Sequence, residues 1–229
     1  MDELFSGSEL ADLIAKVDRG ERLSFEDGVR LFKSNDLLAI GYMADKVRRR
    51  KSGERVYFAG NSALGQTDAK AAESDASLSR RTDSAMLYGH GESVEARVKH
   101  LVRLRELQDK SGDFLAFAPS AIDPGGTGPD ATQVSKTTGF DDLKVLAAGR
   151  IMLDNFAHVR AAWFQLGVKL AQTSLSFGVD DLSEPVSGQF QAAGELGQAM
   201  TKHQLVELIR TAGRQPVERD SSYNIVTVF

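Results

Sequence analysis

The first fifty residues carry apolar positions at helical spacing. Leu10, Leu13, Ile14 and Val17 line one face of a predicted helix over 9–17, and Gly20 closes it. Ser24 with Asp27 forms a capping-box signal, because the hydroxyl accepts an orphan N–H while the carboxylate reaches back. Leu37, Ile40, Ala44 and Val47 make the stripe of a third helix over 35–50. The pattern then changes, and Arg55-Val56-Tyr57-Phe58 reads as a strand. From Ala59 to Asp83 only Leu64 and Leu78 are large and apolar, so this stretch is expected to be a flexible linker.

Strands and helices alternate from there. Residues 84–88, 114–117 and 158–163 read as strands, and 179–182 as a short strand or turn. Helices are expected over 93–110, over 138–155 from a Thr138/Asp141 cap, over 165–177, and from a Thr201/Gln204 cap to Gly213. A loop is expected over 119–137, a polar stretch over 183–200, and an extended tail from Pro216. Alternation with right-handed crossovers predicts an α/β fold with a parallel sheet. About five strands are too few for a closed barrel, which needs roughly 250 residues. The expected architecture is therefore a partial TIM-type parallel barrel over 55–229, with an N-terminal helical segment over 1–54 and the linker 59–83 inside it. An incomplete barrel exposes sheet edges, at Arg55–Phe58 and beyond, and edges invite pairing. A homo-oligomer, most simply a two-fold dimer, is expected.

Composition narrows the chemistry. The 229 residues carry a net charge of -4, four histidines and no cysteine. That excludes disulfides, zinc ribbons and thiol nucleophiles. The charge gives no footprint for nucleic acid. No apolar run is long enough to span a membrane and the N-terminus is acidic, so a cytoplasmic location is expected. No two histidines have metal-ligand spacing, and there is no P-loop, nucleophile elbow or dinucleotide fingerprint. The run Arg48–Lys51 reads as a solvated helix C-terminus, which favours cations, with an anion patch as the sharper alternative.

Several runs together resemble the aminofutalosine synthases, radical S-adenosylmethionine enzymes of the futalosine route to menaquinone. They are Glu21–Gly28, Met86-Leu87-Tyr88-Gly89-His90, Leu104–Asp109, Thr138–Leu143, Met152–Phe156, Leu166–Gln172, Phe177–Leu182 and Ile209–Asp220. The likeness covers about 1–58 and 84–226, in order. The Leu-Ala-Gln and Gly-Val-Asp-Asp wording favours this branch over the sister cyclic dehypoxanthinyl futalosine synthases. The resemblance implies radical adenosyl transfer to an enolpyruvyl benzoate, with a 4Fe–4S cluster and S-adenosylmethionine as cofactors. In the family, the first strand leads into a Cys-x3-Cys-x2-Cys loop that holds the cluster. Here Ala59–Asp83 stands in its place, too short for the family's next barrel units of about 30 residues each. Without thiolates the chain is expected to bind no cluster and to be inactive as it stands. The alternative is a non-catalytic half-barrel that binds or scaffolds, or a truncated sequence with no function of its own. A second departure follows Asp181, where Ser183–Gln189 replaces the family's Gly-Thr and glutamate pair.

The resemblance also implies that strand ends line the inherited half of a cavity for an adenosine-like or benzoate-like ligand. Ligands in such folds meet the C-terminal ends of strands. His90 is the candidate catalytic residue, since imidazole donates, accepts or transfers a proton near neutrality; the bland reading is a strand-end histidine satisfied by backbone. Tyr88, Trp163, Gln165, Asp180 and Asp181 are the candidate substrate contacts. For Trp163 the competing reading is a core aromatic, and for Asp180 and Asp181 a turn or cap.

Overall fold

The computed structural model describes residues 5–59, 82–122, 137–183 and 200–229. Three helices open the chain: α1 (Ala11–Asp18), α2 (Phe25–Lys33) and α3 (Leu37–Ser52). Ser24 and Asp27 form the reciprocal capping box of α2, and the Asp36 carboxylate caps α3 by accepting from the Ala39 N–H. Strand β1 (Arg55–Ala59) follows. The other half alternates β2 (Thr82–Tyr88), α4 (Val94–Ser111), β3 (Phe114–Ala121), α5 (Gly139–Met152), β4 (His158–Ala162), α6 (Trp163–Leu166), α7 (Val168–Ser174) and β5 (Asp181–Ser183). It ends with α8 (Lys202–Thr211), β6 (Gln215–Arg219) and β7 (Ile225–Val228). Capping boxes at Thr138/Asp141 and Thr201/Gln204 start α5 and α8, and Gly112 ends α4 in the left-handed conformation.

The seven strands among the described residues form one sheet in the order β2-β3-β4-β5-β1-β6-β7. All pairings are parallel except the closing β6–β7 hairpin. Four βα units in sequence order, with β1 beyond the last, make an incomplete barrel. Alternation along each strand separates two faces. Val56, Phe58, Phe117, Val159, Ala161 and Leu182 point into the helical layer and share one core with Leu13, Ile40, Leu101, Leu146 and Ile151. The N-terminal helices belong to that same core. On the other face, register puts Tyr57, Asp181 and Arg160 in one row across β1, β5 and β4.

Several sequence expectations change here. Arg55–Phe58 is no edge, because β1 pairs with β5 on one side and β6 on the other. Ala59 ends β1 and Thr82 and Asp83 open β2; the rest of the expected linker, 60–81, lies outside the described residues. Strand β3 runs on through Pro119 to Ala121. It pairs with β4 only at Ala116 and Phe117, so the missing N–H of Pro119 interrupts no ladder on that side. The extended tail is a hairpin. The expected helix over 165–177 is two pieces, α6 and α7, broken at Gly167 with φ 80°.

The basic run at the end of α3 is consumed by structure. The buried Arg48 guanidinium donates to Asp45 and to the Gly53 carbonyl. Arg49 pairs with Asp45 and Glu54, Arg50 donates to the carbonyls of Val17 and Asp18, and Lys51 to that of Asp154. The run is neither a free anion patch nor merely a solvated face; it ties α3 to its neighbours.

Candidate active face of the half-barrel

The C-terminal edge of the sheet is built around the β2–α4 turn. Gly89 and Gly91 take φ of 88° and 89°, which bends the chain sharply. The turn is held by Glu92. Its carboxylate accepts from the backbone N–H of Gly89 and of His90 at 2.9 Å each and from Arg97 Nε at 2.6 Å. Burial raises the Glu92 pKa, but these donors outweigh it and hold the carboxyl below the usual range. The His90 imidazole projects outward, 46% exposed, with Nε2 3.6 Å from the Glu92 carboxylate. Glu92 is the residue sequence reasoning missed; the signal was a glycine on each side of His90, followed by an acid, between a strand and a helix.

The second piece of the edge joins β3 to the β4–α6 turn, where Ser120 Oγ donates to Gln165 Oε1 at 3.0 Å and Gln165 is exposed. Segments 60–81, 123–136 and 184–199, which follow β1, β3 and β5, lie outside the described residues, and the departure at Ser183–Gln189 falls almost wholly among them.

The other candidates sit elsewhere. Tyr88 ends β2, but its side chain enters the helical layer, where its hydroxyl donates to Asp142 at 2.9 Å. Burial and the Asp142 carboxylate push its phenol well above the ordinary tyrosine range. Trp163 begins α6 and is 2% exposed in the main core; its indole Nε1 has no hydrogen-bond partner. Asp180 and Asp181 lie at the opposite edge, since β5 begins at Asp181 rather than ending there. In a parallel sheet that N-terminal edge is the one associated with stability.

Both aspartates are fully buried and saturated. Asp180 faces the helices, bound by the Arg150 guanidinium, the Val159 N–H at 2.8 Å, the Ser52 hydroxyl and His158 Nδ1 at 3.1 Å. Asp181 faces the other way. It accepts from Arg219 Nη2 at 2.7 Å, Arg160 Nε at 2.6 Å and the Tyr223 hydroxyl at 2.6 Å. Burial alone would raise both carboxyls, but the guanidinium charges prevail and hold both below the usual carboxylate range.

The fold and its C-terminal edge define an incomplete parallel α/β barrel. The FeFe-hydrogenase maturase HydG of Carboxydothermus hydrogenoformans shares this fold with a TM-score of 0.64, over 95% of this chain and 81% of that one, at 12% identity. Residues 111–229, more than half of the chain, match the family model described as the CofH/MqnC C-terminal region, and the chain belongs to that family. It is 43% identical over 154 residues to the aminodeoxyfutalosine synthase of Thermus thermophilus, covering 65% of this chain and 41% of that one. To the cyclic dehypoxanthine futalosine synthase of Streptomyces coelicolor it is 33% identical over 156 residues, covering 66% and 38%. The chain is thus an aminofutalosine synthase-like radical S-adenosylmethionine protein that spans about two-fifths of the length of the curated relatives it matches.

The family uses a 4Fe–4S cluster and S-adenosylmethionine. This chain has no cysteine, and among the described residues no three histidines or carboxylates converge as a metal site. Its donors do not fit such a cluster, which is held by thiolates. Among the described residues no helix is long and apolar enough to cross a membrane.

Proposed function

We propose that this chain is the ligand-facing part of an aminofutalosine synthase-type barrel and does not by itself carry out adenosyl transfer. The reading rests on one combination: residues 111–229 match the family's C-terminal region, and their described strands and helices form βα units, in a chain without a thiolate. Of the candidate residues, His90 and Gln165 contact the ligand, because they stand exposed at the C-terminal edge. Tyr88, Trp163, Asp180 and Asp181 hold the scaffold. The ligand class is a small molecule of adenosine or benzoate type.

Anaerobic reconstitution with iron, sulfide and S-adenosylmethionine tests the first part. The expected outcome is no cluster absorbance and no 5′-deoxyadenosine; formation of either sinks the proposal. Titration with adenosine and with benzoate, followed by side-chain resonances, tests the second. His90 and Gln165 should shift together while Trp163 stays still.

Self-association belongs to the same reading, moved to the outer edges β2 and β7. All four residues of β7 are exposed, with Ile225, Val226 and Val228 at 48%, 60% and 47%. Strand-edge pairing of such a segment is favourable. Sedimentation should show a dimer, and a monodisperse monomer at high concentration refutes it.

A further inference from the structure

His90 is exposed and stands between two glycines, so packing does not set its place. Gly89 and Gly91 take φ of 88° and 89°, and a glycine leaves such a conformation as readily as it adopts it. The imidazole has the Glu92 carboxylate 3.6 Å from Nε2, which is beyond hydrogen-bond reach. What is fixed is the backbone beneath the ring. We infer that Glu92 is the positioning residue of this edge: its carboxylate gathers the peptide groups of Gly89 and His90 and the Arg97 guanidinium, and so sets where His90 meets a ligand. The last step rests on the contact proposed above between His90 and an adenosine-like or benzoate-like molecule; the clamp itself does not.

The geometry calls for a carboxylate and no other group. Oε1 accepts from the Gly89 N–H at 2.9 Å and from Arg97 Nε at 2.6 Å. Oε2 accepts from the His90 N–H at 2.9 Å and from the Gly89 N–H at 3.0 Å. Each oxygen therefore meets two donors. A glutamine amide, in either orientation, would turn its NH2 towards one of those N–H groups, where only an acceptor fits. Hydrogen bonds to an ionised acceptor are the strong ones. The Glu92 side chain is 7% exposed, so water does not readily take its place, and donors left unpaired there are costly.

The clamp has firm ends. Tyr88, just before the turn, is buried and bonded to Asp142. Ser93, just after Glu92, caps α4 by accepting from the Ala96 N–H at 3.1 Å. Arg97, in the first turn of α4, lies with its guanidinium 5.8 Å from the centroid of the Tyr88 ring and 5.9 Å from that of Phe32. Glu92 thus joins the end of β2 to the start of α4 across the two glycines, and His90 is carried on that bridge.

The test uses the full chain with Glu92→Ala and with Glu92→Gln. In both, amide exchange at Gly89 and His90 should quicken about tenfold or more, as loss of charge-assisted hydrogen bonds predicts, while β3 and β4 keep their protection. The His90 ring resonances should move towards those of a disordered histidine. Acetate titrated into the alanine variant supplies the missing carboxylate and should restore both signals; acetamide, which has a single acceptor oxygen, should not. Adenosine and benzoate, followed at His90, should bind the glutamine variant about tenfold more weakly than the unmodified chain. No response of His90 in the unmodified chain defeats the ligand contact and leaves the clamp to be judged by the ligand-free measurements. Equal affinity of the two proteins, where the unmodified chain responds, overturns the inference. So does unchanged exchange at Gly89 and His90 in both variants, loss there only together with β3 and β4, or acetate restoring no more than acetamide.

Discussion

Replacing Asp180 by asparagine isolates the most deeply buried charge pair. Asp180 and Arg150 are each 0% exposed, so Asp180→Asn leaves a guanidinium in the interior without its counter-charge. Removing one partner of such a pair costs about 3–5 kcal/mol. The lower part of that range applies, because Arg150 keeps the carbonyls of Gly178 at 2.7 Å and Ala157 at 3.0 Å as acceptors. Burial pushes the Arg150 pKa down, but a guanidinium stays charged over any workable pH, so the orphaned charge persists. Against an ordinary total stability of about 5–15 kcal/mol, the loss is large. The assay is built in: the single tryptophan, Trp163, is 2% exposed and reports urea unfolding through its fluorescence. Adding Arg150→Met to Asp180→Asn should restore part of the loss, by about 1–3 kcal/mol of coupling. The sign with pH is fixed. Asp180 has a folded pKa below its unfolded value, so its contribution is complete above the unfolded value near 3.9 and is lost as pH falls below it. Unmodified protein should lose stability below about pH 4 more steeply than the asparagine variant. A cost under about 1 kcal/mol for Asp180→Asn, or additivity of the double variant within about 0.5 kcal/mol, refutes the reasoning.

Two further substitutions probe packing and polarity. A Cβ on Gly149 would overlap the Phe117 ring between α5 and β3, so Gly149→Ala should cost about 1–3 kcal/mol by overpacking; calorimetry showing no change would mean that Phe117 is free to move aside. Tyr88→Phe removes the donor to the buried Asp142 and should cost about 1–2 kcal/mol in urea, with adenosine and benzoate titrations of His90 unaltered; a lost ligand response would place Tyr88 at the ligand.

The helices and their starts were legible in the sequence because their causes are local. Ser24/Asp27, Thr138/Asp141 and Thr201/Gln204 close reciprocal hydrogen bonds within four residues, and each forms as read. The α/β alternation and the membership of the family were legible too, as was the absence of any thiolate. Facing and depth were not. Whether Asp180 opens or closes a strand is a shift of two or three residues, and each single-residue shift turns a side chain to the other face. That is why Asp180 and Asp181 read as strand ends and stand at the strand's beginning, on opposite faces of the sheet. Tyr88 and His90 are two residues apart, yet one enters the helical layer and the other faces solvent, because the glycine turn between them reverses the chain. The four cations of 48–51 looked alike in sequence; only the packing of α3 against 17–18, 53–54 and 154 decided their partners. The sequence alone determined the locally capped helices, the α/β alternation and which chemistry the chain lacks. The tertiary structure alone decided that the tail pairs beside β1, because pairing between strands 160 residues apart depends on the assembled sheet and not on any local pattern.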